Sequence, residues 1–390
     1  MTSPSRLETV KVSHRGAARW AHGHPWIFRS DVEEDRAPAG LVRVVDPYGH
    51  FLGQALHSPA SEIRLRLLER TERPVDRAWW RERLAAGAAR RAGIDATAWR
   101  AVHGEGDALP SLVVDRYDRW LVVELLSAGL ETLRDDVLAA LEEVFTPEGI
   151  LLRNDVPVRR REGLAEEVTL ARGTVPERIE VREGPVRYWA APWTGQKTGA
   201  FLDQRPNRLA AAAWTVPGGR ALDCFSYHGS FALHLATRAG RVTALDVSAE
   251  ALARGAENAA LNGYTNIDFR EGDAFELLRQ FEREGTRFDT IVLDPPAFAK
   301  SRAAVSQALR GYREINLRAM RILAPGGTLI TASCSFHVRR PDFFGMLAQA
   351  AADSARRIEL VETLGQGVDH PEILTIPETG YLKGAVLRAL

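Results

Sequence analysis

The stretch RALDCFSYHGSFALHLATRAGRVTALDV, residues 220–247, decides the fold class of this chain. RALDCF is a short apolar run that contains Asp223 near its end, and a helical pattern follows from about Ser230. VTALDV is a second apolar run, and it again carries an acid near its end, Asp246. A strand, a helix and another strand in close succession are typical of parallel βα units, whose strands are buried on both faces.

The same alternation continues along the rest of the chain. Four further runs are predicted to be strands, and helical patterns lie between them: IDFREGD, FDTIVLDPP, GGTLITASCS and RIELVETLG. Alternating strands and helices with short loops favour a doubly wound sheet. We therefore predict a Rossmann-like α/β domain over residues 186–390, with GYLKGAVLRAL as a closing strand at the edge of the sheet.

The first half of the chain has a different pattern. Short β-type runs separated by Pro, Gly and Asp fill residues 1–73 and predict a small β-rich domain. Residues 74–185 combine a helical pattern over 74–92, a hairpin with the turn DRYDR, a helix over 131–145 and the strand GILLRND. This second region is predicted to be a small central α+β domain. Three domains agree with the length of 390 residues, since domains average about 150 residues.

Composition excludes several classes of protein. Hydrophobic residues make up 45% of the chain and charged residues 26%, which excludes a disordered or collagen-like chain. No stretch approaches the roughly 18 apolar residues that span a bilayer, and the start MTSPSRLETVKVSHRG lacks the apolar core of a signal peptide. Two cysteines are too few for a disulfide framework and do not suit a zinc site. The sequence therefore predicts a cytoplasmic protein with no metal and no membrane partner, and it leaves the oligomeric state open, a homodimer included.

The charge is balanced, with 51 basic and 51 acidic residues, which weakens a general electrostatic case for nucleic-acid binding. Two local runs are candidates for a basic patch, one from Arg15 to Arg29 and one at Arg159–Arg161, although solvated surface arginines are the simpler interpretation of each. Only four of the basic residues are lysines. Three of these lie in segments rich in Gly, Pro or Ser, which makes them candidates for functional groups: Lys197 in GQKTGAF, Lys300 in DPPAFAKS and Lys383 in GYLKGAV.

Acidic residues end successive strands of the predicted sheet, on the side where open α/β sheets bind ligands. Asp223 precedes a loop with one glycine, whereas a dinucleotide site needs the pattern G-x-G-x-x-G there. An acid at that place repels a pyrophosphate but suits a ligand with an ammonium and a sulfonium, which argues against NAD and for S-adenosylmethionine. Asp246 is placed to accept hydrogen bonds from both ribose hydroxyls, and Asp273 to accept from an adenine amino group. Either acid, taken alone, is as readily a helix N-cap.

Two further strand ends carry groups suited to catalysis. Asp294 is followed by two prolines, which remove two N–H donors and form a rigid corner. Such a corner can hold the carboxylate and the ring of Phe298 against a planar substrate. Cys334 ends the next strand within the triplet Ser-Cys-Ser. A cysteine in a strand is usually an inert core residue, but at the carboxyl end of a strand, beside Asp294, it is placed as a nucleophile.

Five segments together resemble class I S-adenosylmethionine-dependent methyltransferases: LDCFSYHGSFALHLA, ALDVSAEAL, EGDAF, DPPAFAKS and TASCS. More narrowly, the chain is similar to the RNA cytosine-5 methyltransferases that carry an N-terminal PUA domain and act on large-subunit (23S) ribosomal RNA. The resemblance covers nearly the whole chain. It runs through HPWIFRSDV in the PUA segment, GDALPSLVVDRY in the central domain, TGQKTGAFLDQRPNR before the sheet and DHPEILTIPETGYLKG near the C-terminus.

The resemblance implies a set of site residues. Cys334 and Asp294 correspond to catalytic residues, with Cys334 as the nucleophile. The residues implied for cofactor binding are Asp223, Phe225, Ser226, Gly229, Asp246, Asp273, Asp294 and Gln204. Those implied for substrate contact are Phe298, Lys197, Lys300 and Arg205. A second cysteine, which another cytosine-5 family has in the fourth-strand motif, is absent here because Ala297 and Phe298 follow the prolines, and Cys224 lies too deep in the cofactor loop to replace it.

The implied reaction includes a covalent step. Cytosine C5 is a poor nucleophile, and a thiolate that adds to C6 makes C5 able to take a methyl group. Asp294 would stabilise the added pyrimidine by hydrogen bonding at N3 or at the exocyclic amine. The target base must leave its stack, or be single-stranded, to reach the pocket.

Two other functions stay open at this point. A guanine amino-methyltransferase uses the same D-P-P-F corner but needs no nucleophilic cysteine, so Cys334 argues against it. An RNA-binding factor without catalytic activity could also be built on this fold, but it would have no need for the acids together with Cys334.

Overall fold

A computed structural model describes residues 7–34 and 36–390. These residues divide into two compact units. The first contains the chain up to Val181 together with Ala190–Leu202 and Val368–Thr379, and the second contains Arg182–Trp189, Asp203–Gly367 and Gly380–Leu390. The division into three domains after residues 73 and 185 stays a prediction. Residues 1–6, on which the absence of a signal peptide is partly argued, lie outside the described residues.

A six-stranded sheet forms the first part of the first unit. Its elements are β1 (Thr9–Val12), α1 (His14–Ala21), β2 (Trp26–Phe28), β3 (Val32–Glu34), β4 (Gly40–Val45), β5 (Phe51–His57) and β6 (Ile63–Glu69). The strands lie in the order β2-β6-β5-β4-β1-β3, which confirms the predicted β-rich region. Helix α1 was not predicted, because its eight residues bury only Gly16 and Trp20 and so give little helical periodicity.

A five-stranded sheet with helices forms the second part of this unit. Its elements are α2 (Arg77–Ala89), β7 (Ala98–His103), β8 (Leu112–Tyr117), β9 (Trp120–Leu125), α3 (Ala128–Glu131), α4 (Arg134–Phe145), β10 (Gly149–Arg153), α5 (Val158–Arg161) and β11 (Val168–Gly173). The strand order is β11-β10-β9-β8-β7. Helices α2 and α4 and the hairpin β8–β9 agree with the α+β prediction. A buried ion pair of 2.8 Å between Arg66 and Glu162 joins the two parts.

A two-stranded hairpin, β12 (Ile179–Glu183) and β13 (Val186–Ala190), precedes the second unit's large sheet. The remaining elements are α6 (Arg205–Trp214), β14 (Arg220–Cys224), α7 (Ser230–Ala236), β15 (Arg241–Asp246), α8 (Ala249–Leu261), β16 (Ile267–Glu271), α9 (Ala274–Arg283), β17 (Phe288–Leu293), α10 (Val305–Ile322), β18 (Leu323–Ser333), α11 (Arg340–Ser354), β19 (Ile358–Gly365) and β20 (Lys383–Ala389). The strand order is β16-β15-β14-β17-β18-β20-β19. The first five strands in this order are parallel, which confirms the predicted Rossmann-like sheet.

The expected position of the last strand was wrong. β20 lies between β18 and β19 and pairs antiparallel with both, so β19 forms the edge of the sheet. The burial of the two strands explains this order. All residues of β20 but one are buried, whereas β19 leaves half of its residues exposed. Within residues 7–34 and 36–390, no helix has the length and apolar character that a membrane crossing requires.

A buried ion pair fixes the start of the second unit. The guanidinium of Arg208, on α6, donates to both carboxylate oxygens of Glu183 at 2.7 Å. The two side chains are only 2% and 1% exposed. Burial would raise the pKa of Glu183, but the Arg208 guanidinium outweighs it, and the pKa of that carboxyl lies below its ordinary value. The pair therefore stays ionised inside the protein.

Candidate active site

Four adjacent strands bring most of the predicted site residues to one edge of the large sheet. β14 pairs in parallel with β15 and β17, and β17 pairs in parallel with β18. Cys224, at the end of β14, lies in register with Leu245 on one neighbour and Leu293 on the other. The loops that follow these strands therefore begin side by side. Because the strand order reverses at β14, this edge is the place where open α/β sheets bind ligands.

The loop Phe225–Gly229, between β14 and α7, has an unusual backbone conformation. Phe225 and Tyr227 both have positive φ angles, 64° and 50°, although neither is glycine. The backbone N–H of Tyr227 donates to Asp246 Oδ2 at 2.9 Å, which ties the loop to the end of β15. Backbone strain of this kind is concentrated at ligand-binding sites.

Gly229 ends this loop in a conformation that favours glycine. Its φ angle is +74°, and a Cβ atom there would lie 3.2 Å from the ring of Phe269. Its N–H donates to the carbonyl of Ser226 at 2.8 Å, which closes the turn before α7. The glycine therefore lets the backbone turn tightly at the N-terminus of a helix.

Asp223 is a fully buried carboxylate with one unsatisfied oxygen. Its Oδ2 accepts a hydrogen bond from the backbone N–H of Ala232 at 2.9 Å, whereas its Oδ1 has no partner among the described residues. Burial raises the pKa of Asp223 well above its ordinary value, and the charges of Asp294 and Asp246 act in the same direction. The buried hydroxyl of Ser226 also has no hydrogen-bond partner in the described part of the chain. Since buried polar atoms are almost always paired, these two atoms point to a polar ligand, and a ligand ammonium would hold Asp223 ionised.

Asp246 and Asp273 both use their carboxylates to fix the backbone. The oxygens of Asp246 accept from the N–H groups of Tyr227 and Ser248, each at 2.9 Å. Asp273 is exposed and caps α9 by accepting from the N–H of Glu276 at 3.1 Å. Asp273 is therefore the helix N-cap that was considered as the alternative, whereas Asp246 is not, because Ser248 caps α8. A carboxylate oxygen accepts more than one hydrogen bond, so their roles toward ribose and adenine stay predictions.

Asp294 contacts another predicted site residue. The side-chain amide of Gln204 donates to Asp294 Oδ1 at 2.7 Å. The amide of Asn207 donates in turn to the Gln204 carbonyl oxygen at 2.5 Å. Gln204 and Asn207 are both buried, so the segment before the sheet orients the carboxylate that follows β17.

The ring of Phe298 lies within an aromatic cluster. Its centroid is 4.6 Å from that of Tyr312, 6.0 Å from that of Phe275 and 6.4 Å from that of Phe225. The side chain is partly buried. Much of this ring therefore packs against the protein, and its stacking on a substrate base stays a prediction.

Cys334 follows β18 in a turn that hydroxyl groups hold. The hydroxyl oxygens of Tyr312 and Ser335 are 2.9 Å apart, and the N–H of Ala299 donates to Ser335 Oγ at 3.1 Å. The N–H of Ser335 donates to Ser333 Oγ at 3.3 Å. Cys334 is partly exposed. Ser335 therefore links the turn that carries the thiol to the loop after β17.

Cys224 has the opposite environment. It is fully buried, and burial, with the charge of Asp223 adding to it, raises the pKa of its thiol well above the ordinary value. A thiol is nucleophilic only when ionised. Of the two cysteines, Cys224 is therefore the less suited to act as a nucleophile, and the nucleophilic role of Cys334 stays a prediction.

The predicted substrate residues are divided between the two units. Lys300 is exposed in the loop after β17, and Arg205 is buried at the start of α6. Lys197 belongs to the first unit, where its φ angle is +53° and its ammonium lies 4.6 Å from the centre of the Phe201 ring. Their contacts with a substrate stay predictions.

Two residues beside Cys334 were missing from the predicted site. Tyr312 bonds to Ser335, and the ammonium of Lys383 donates to the Ser335 carbonyl at 2.5 Å. The sequence did single out Lys383 as a candidate functional group, because it is one of only four lysines in the chain. Tyr312 gave none, since an aromatic residue within a helix usually belongs to the core.

Two family profiles match this chain. One, described as a PUA-like domain, matches residues 10–70. The other, described as an S-adenosylmethionine-dependent methyltransferase, matches residues 158–388, which is more than half of the chain.

Curated relatives are similar over almost the full length. The ribosomal RNA large subunit methyltransferase I of Vibrio vulnificus (strain YJ016) is 38% identical over 380 residues, covering 94% of this chain and 96% of the relative. The protein of the same name from Klebsiella pneumoniae (strain 342) is 38% identical over 386 residues, covering 94% of each.

Solved structures share the fold at lower sequence identity. A SAM-dependent methyltransferase from Streptococcus mutans superimposes with a TM-score of 0.82 at 19% identity, over 98% of this chain and 100% of that chain. A methyltransferase complexed with SAH gives a TM-score of 0.84 at 19% identity with the same coverage. At this level of identity the likeness shows the fold alone.

Proposed function

Since the chain belongs to the ribosomal RNA large subunit methyltransferase I family of S-adenosylmethionine-dependent methyltransferases, we propose that it methylates carbon 5 of a cytosine in large-subunit ribosomal RNA. One observation supports carbon 5 as the atom that is methylated. A partly exposed thiol, Cys334, stands at the ligand-binding edge of the sheet, and Ser335 links its turn to the loop that follows β17. An amino group attacks the methyl group itself and needs no nucleophile from the protein. Cytosine C5 becomes nucleophilic only after a group of the protein adds to C6.

The residues at the sheet edge fit the cofactor, S-adenosylmethionine. The unsatisfied Oδ1 of Asp223 suits the ammonium of its amino-acid part, and the buried Ser226 hydroxyl is a second polar partner. The Phe225–Gly229 loop, together with Asp246, would hold the rest of the molecule. When bound, the cofactor supplies a methyl group made electrophilic by a sulfonium.

The other residues act on the target base. The thiolate of Cys334 forms a bond to C6, and the electrons of the C5–C6 double bond become available at C5 for the methyl group. Asp294, which Gln204 orients, hydrogen-bonds to N3 or to the exocyclic amine of the added pyrimidine. Removal of the C5 proton then restores the double bond and expels the thiolate. A poorly solvated site strengthens each of these interactions.

The direct test is nucleoside mass spectrometry of large-subunit ribosomal RNA from a strain that lacks the protein. We expect one 5-methylcytidine to disappear, and to return when the purified protein and S-adenosylmethionine are added. Loss of a methylated guanosine instead would contradict the proposal and favour the amino-methyltransferase.

The substitution Asp223→Asn should separate cofactor binding from stability. It keeps the size of the side chain and an oxygen for the N–H of Ala232, but it removes the charge. We expect cofactor binding to weaken by about 1.5–3 kcal/mol, the scale of a hydrogen bond to a charged group. The unliganded variant should melt no lower than the wild type at neutral pH. The pKa of Asp223 is raised in the folded state, so folding favours the protonated carboxyl. The stability that this carboxyl contributes is present at low pH and is lost as the pH rises.

Calorimetric titration and thermal melts at several pH values measure both effects. Asp268→Asn, an exposed carboxylate on β16, is the matched control and should change neither. Unchanged affinity in the Asp223→Asn variant would refute the ammonium assignment.

The first unit offers a candidate surface for RNA phosphates in the segment 10–70. Arg15 and Arg29 are exposed there, and Tyr48, which contacts His14 edge-to-face, is 74% exposed. Exposed aromatic rings beside basic groups suit unpaired bases. The second run of arginines is less suitable, because Arg159 is buried and donates to backbone carbonyls.

Removing two charges from this surface should reduce the salt dependence of RNA binding. For the Arg15→Gln/Arg29→Gln variant we expect the slope of log affinity against log salt to become shallower by about 1.4–1.8, since each lost phosphate contact accounts for about 0.7–0.9. Fluorescence anisotropy with a ribosomal RNA fragment over a KCl series measures the slope. Arg160→Gln/Arg161→Gln, which also removes two exposed arginines, is the control. An equal change in both variants would argue against a specific surface.

A further inference from the structure

Lys383 is a buried ammonium whose bonds go to carbonyl groups. It lies on β20 in register with Ser333, the last residue of β18, and is 4% exposed. Its Nζ donates to the carbonyl oxygens of Ser335 at 2.5 Å and Tyr381 at 3.0 Å. None of the ion pairs formed by the described residues includes Lys383. A positive charge is therefore held inside the protein without a carboxylate beside it.

Burial of a charge costs free energy unless an opposite charge accompanies it. Burial lowers the pKa of Lys383 to about 8; a negative charge on Cys334 acts against this effect, while Arg340 adds to it. The ammonium is bonded to the residue that directly follows Cys334. The ionised thiol is thus the anion that the surroundings of Lys383 offer.

We propose that Lys383 is a positioning residue for the nucleophile: its ammonium, anchored to the Ser335 carbonyl, holds the turn of Cys334 and stabilises the thiolate. This inference rests on the proposed function, in which Cys334 attacks the base. The thiol gives its proton to solvent, and Lys383 keeps its own proton, so no proton passes between the two groups.

Other charged or titratable groups face the same turn. Arg340, at the start of α11, adds positive charge and favours the thiolate as Lys383 does. Asp294 follows the neighbouring strand β17 and would oppose the thiolate when ionised. Tyr312, on α10, stays neutral over the working range because burial raises the pKa of its phenol. Lys383 combines a positive charge with a hydrogen bond to the turn, whereas Tyr312, which also bonds to Ser335, is uncharged.

The test measures alkylation of Cys334 by iodoacetamide in the full-length protein from pH 6 to pH 10, as shown by peptide mass spectrometry. Lys383→Met removes the charge, Lys383→Gln removes it but keeps an N–H donor for the Ser335 carbonyl, and Lys383→Arg keeps the charge. We expect the Met and Gln variants to react about tenfold more slowly than the wild type at pH 7, which corresponds to one unit in the pH of half-ionisation. At about pH 10, where a thiol ionises without help, the rates should converge. The Arg variant should stay close to the wild type.

This profile distinguishes an electrostatic role from a merely structural one. A loosened turn would expose Cys334 and speed alkylation at every pH, whereas loss of the ammonium slows it only at neutral pH. Lys11→Met, on β1 in the other unit, is the matched control for the loss of one lysine. If the Met variant does not fold, the Gln variant decides the question.

Overlapping profiles for the wild type and the uncharged variants would overturn the proposal, as would an Arg variant that behaves like them. The alkylation measurement uses no RNA, so its result does not depend on whether the proposed function is correct. A protein that forms no covalent adduct with RNA would contradict the cytosine reaction and leave the alkylation profile unaffected.

Discussion

RNA that carries 5-fluorocytidine at the target position should form a covalent complex with the wild-type protein in the presence of S-adenosylmethionine, and the Cys334→Ala variant should form none. Fluorine at C5 cannot leave as a proton does, so the bond between the sulfur and C6 persists after methyl transfer. Denaturing electrophoresis detects the complex. The variant should also lose turnover by about 10⁴-fold or more, the scale of the loss when a covalent nucleophile is removed.

Cofactor affinity of the Cys334→Ala variant should stay near that of the wild type, because the thiol acts on the base and not on the cofactor. Cys224→Ala is the matched control, since it removes the other cysteine of the chain from a fully buried position. That variant should keep most of its activity and still form the complex. A Cys334→Ala protein that methylates RNA would exclude the cytosine-5 reaction and favour a guanine amino-methyltransferase.

Breaking the ion pair between Glu183 and Arg208 should destabilise the second unit strongly. Arg208→Ala leaves a carboxylate that is 1% exposed without its guanidinium, and loss of one partner of a buried pair costs about 3–5 kcal/mol. For a unit of this size the melting temperature should fall by about 6–20 °C. Calorimetric or circular-dichroism melts of the full chain measure the change.

The double variant Glu183→Leu/Arg208→Leu tests the cause. It removes both charges, and it should recover much of the lost stability because no unpaired charge remains buried. The pH dependence gives a second check. Because the pKa of Glu183 is lowered in the folded state, its contribution is present at neutral pH and is lost as the pH falls through the folded value. A double variant as unstable as Arg208→Ala would show that packing, and not charge, accounts for the effect.

The elements of the large sheet were predictable because their residues are locally uniform. Strands such as β17 end in a run of apolar residues, and α7 begins at Ser230 as predicted, directly after the turn glycine. The position of β20 could not be predicted in this way. An apolar strand suits the interior as well as the edge, and the choice depends on pairing with residues far away in the sequence. Helix α1 was missed for the related reason that its buried face is too small to give a periodic pattern.

The candidate site likewise has a part that the sequence predicts and a part that it does not. Asp223, Asp246 and Asp294 were predictable, since each lies at the end of a recognisable strand and parallel strands end together. Contacts between distant segments were not. Neither the bond from Lys383 to Ser335 nor the one from Tyr312 to Ser335 leaves a pattern in the local sequence. The resemblance to a known family supplied Gln204, whose contact with Asp294 the structure shows.

The path of the chain after β19 has a consequence for the order in which the protein is made. Val368–Thr379 belongs to the first unit, and Gly380–Leu390, which contains β20, returns to the second. Synthesis proceeds from the N-terminus, so a nascent chain that ends before residue 368 lacks a part of both units. Its strand β18 would present an unpaired edge, of the kind that promotes association between chains. Both units must therefore reach their final form late, after almost all of these 390 residues have left the ribosome.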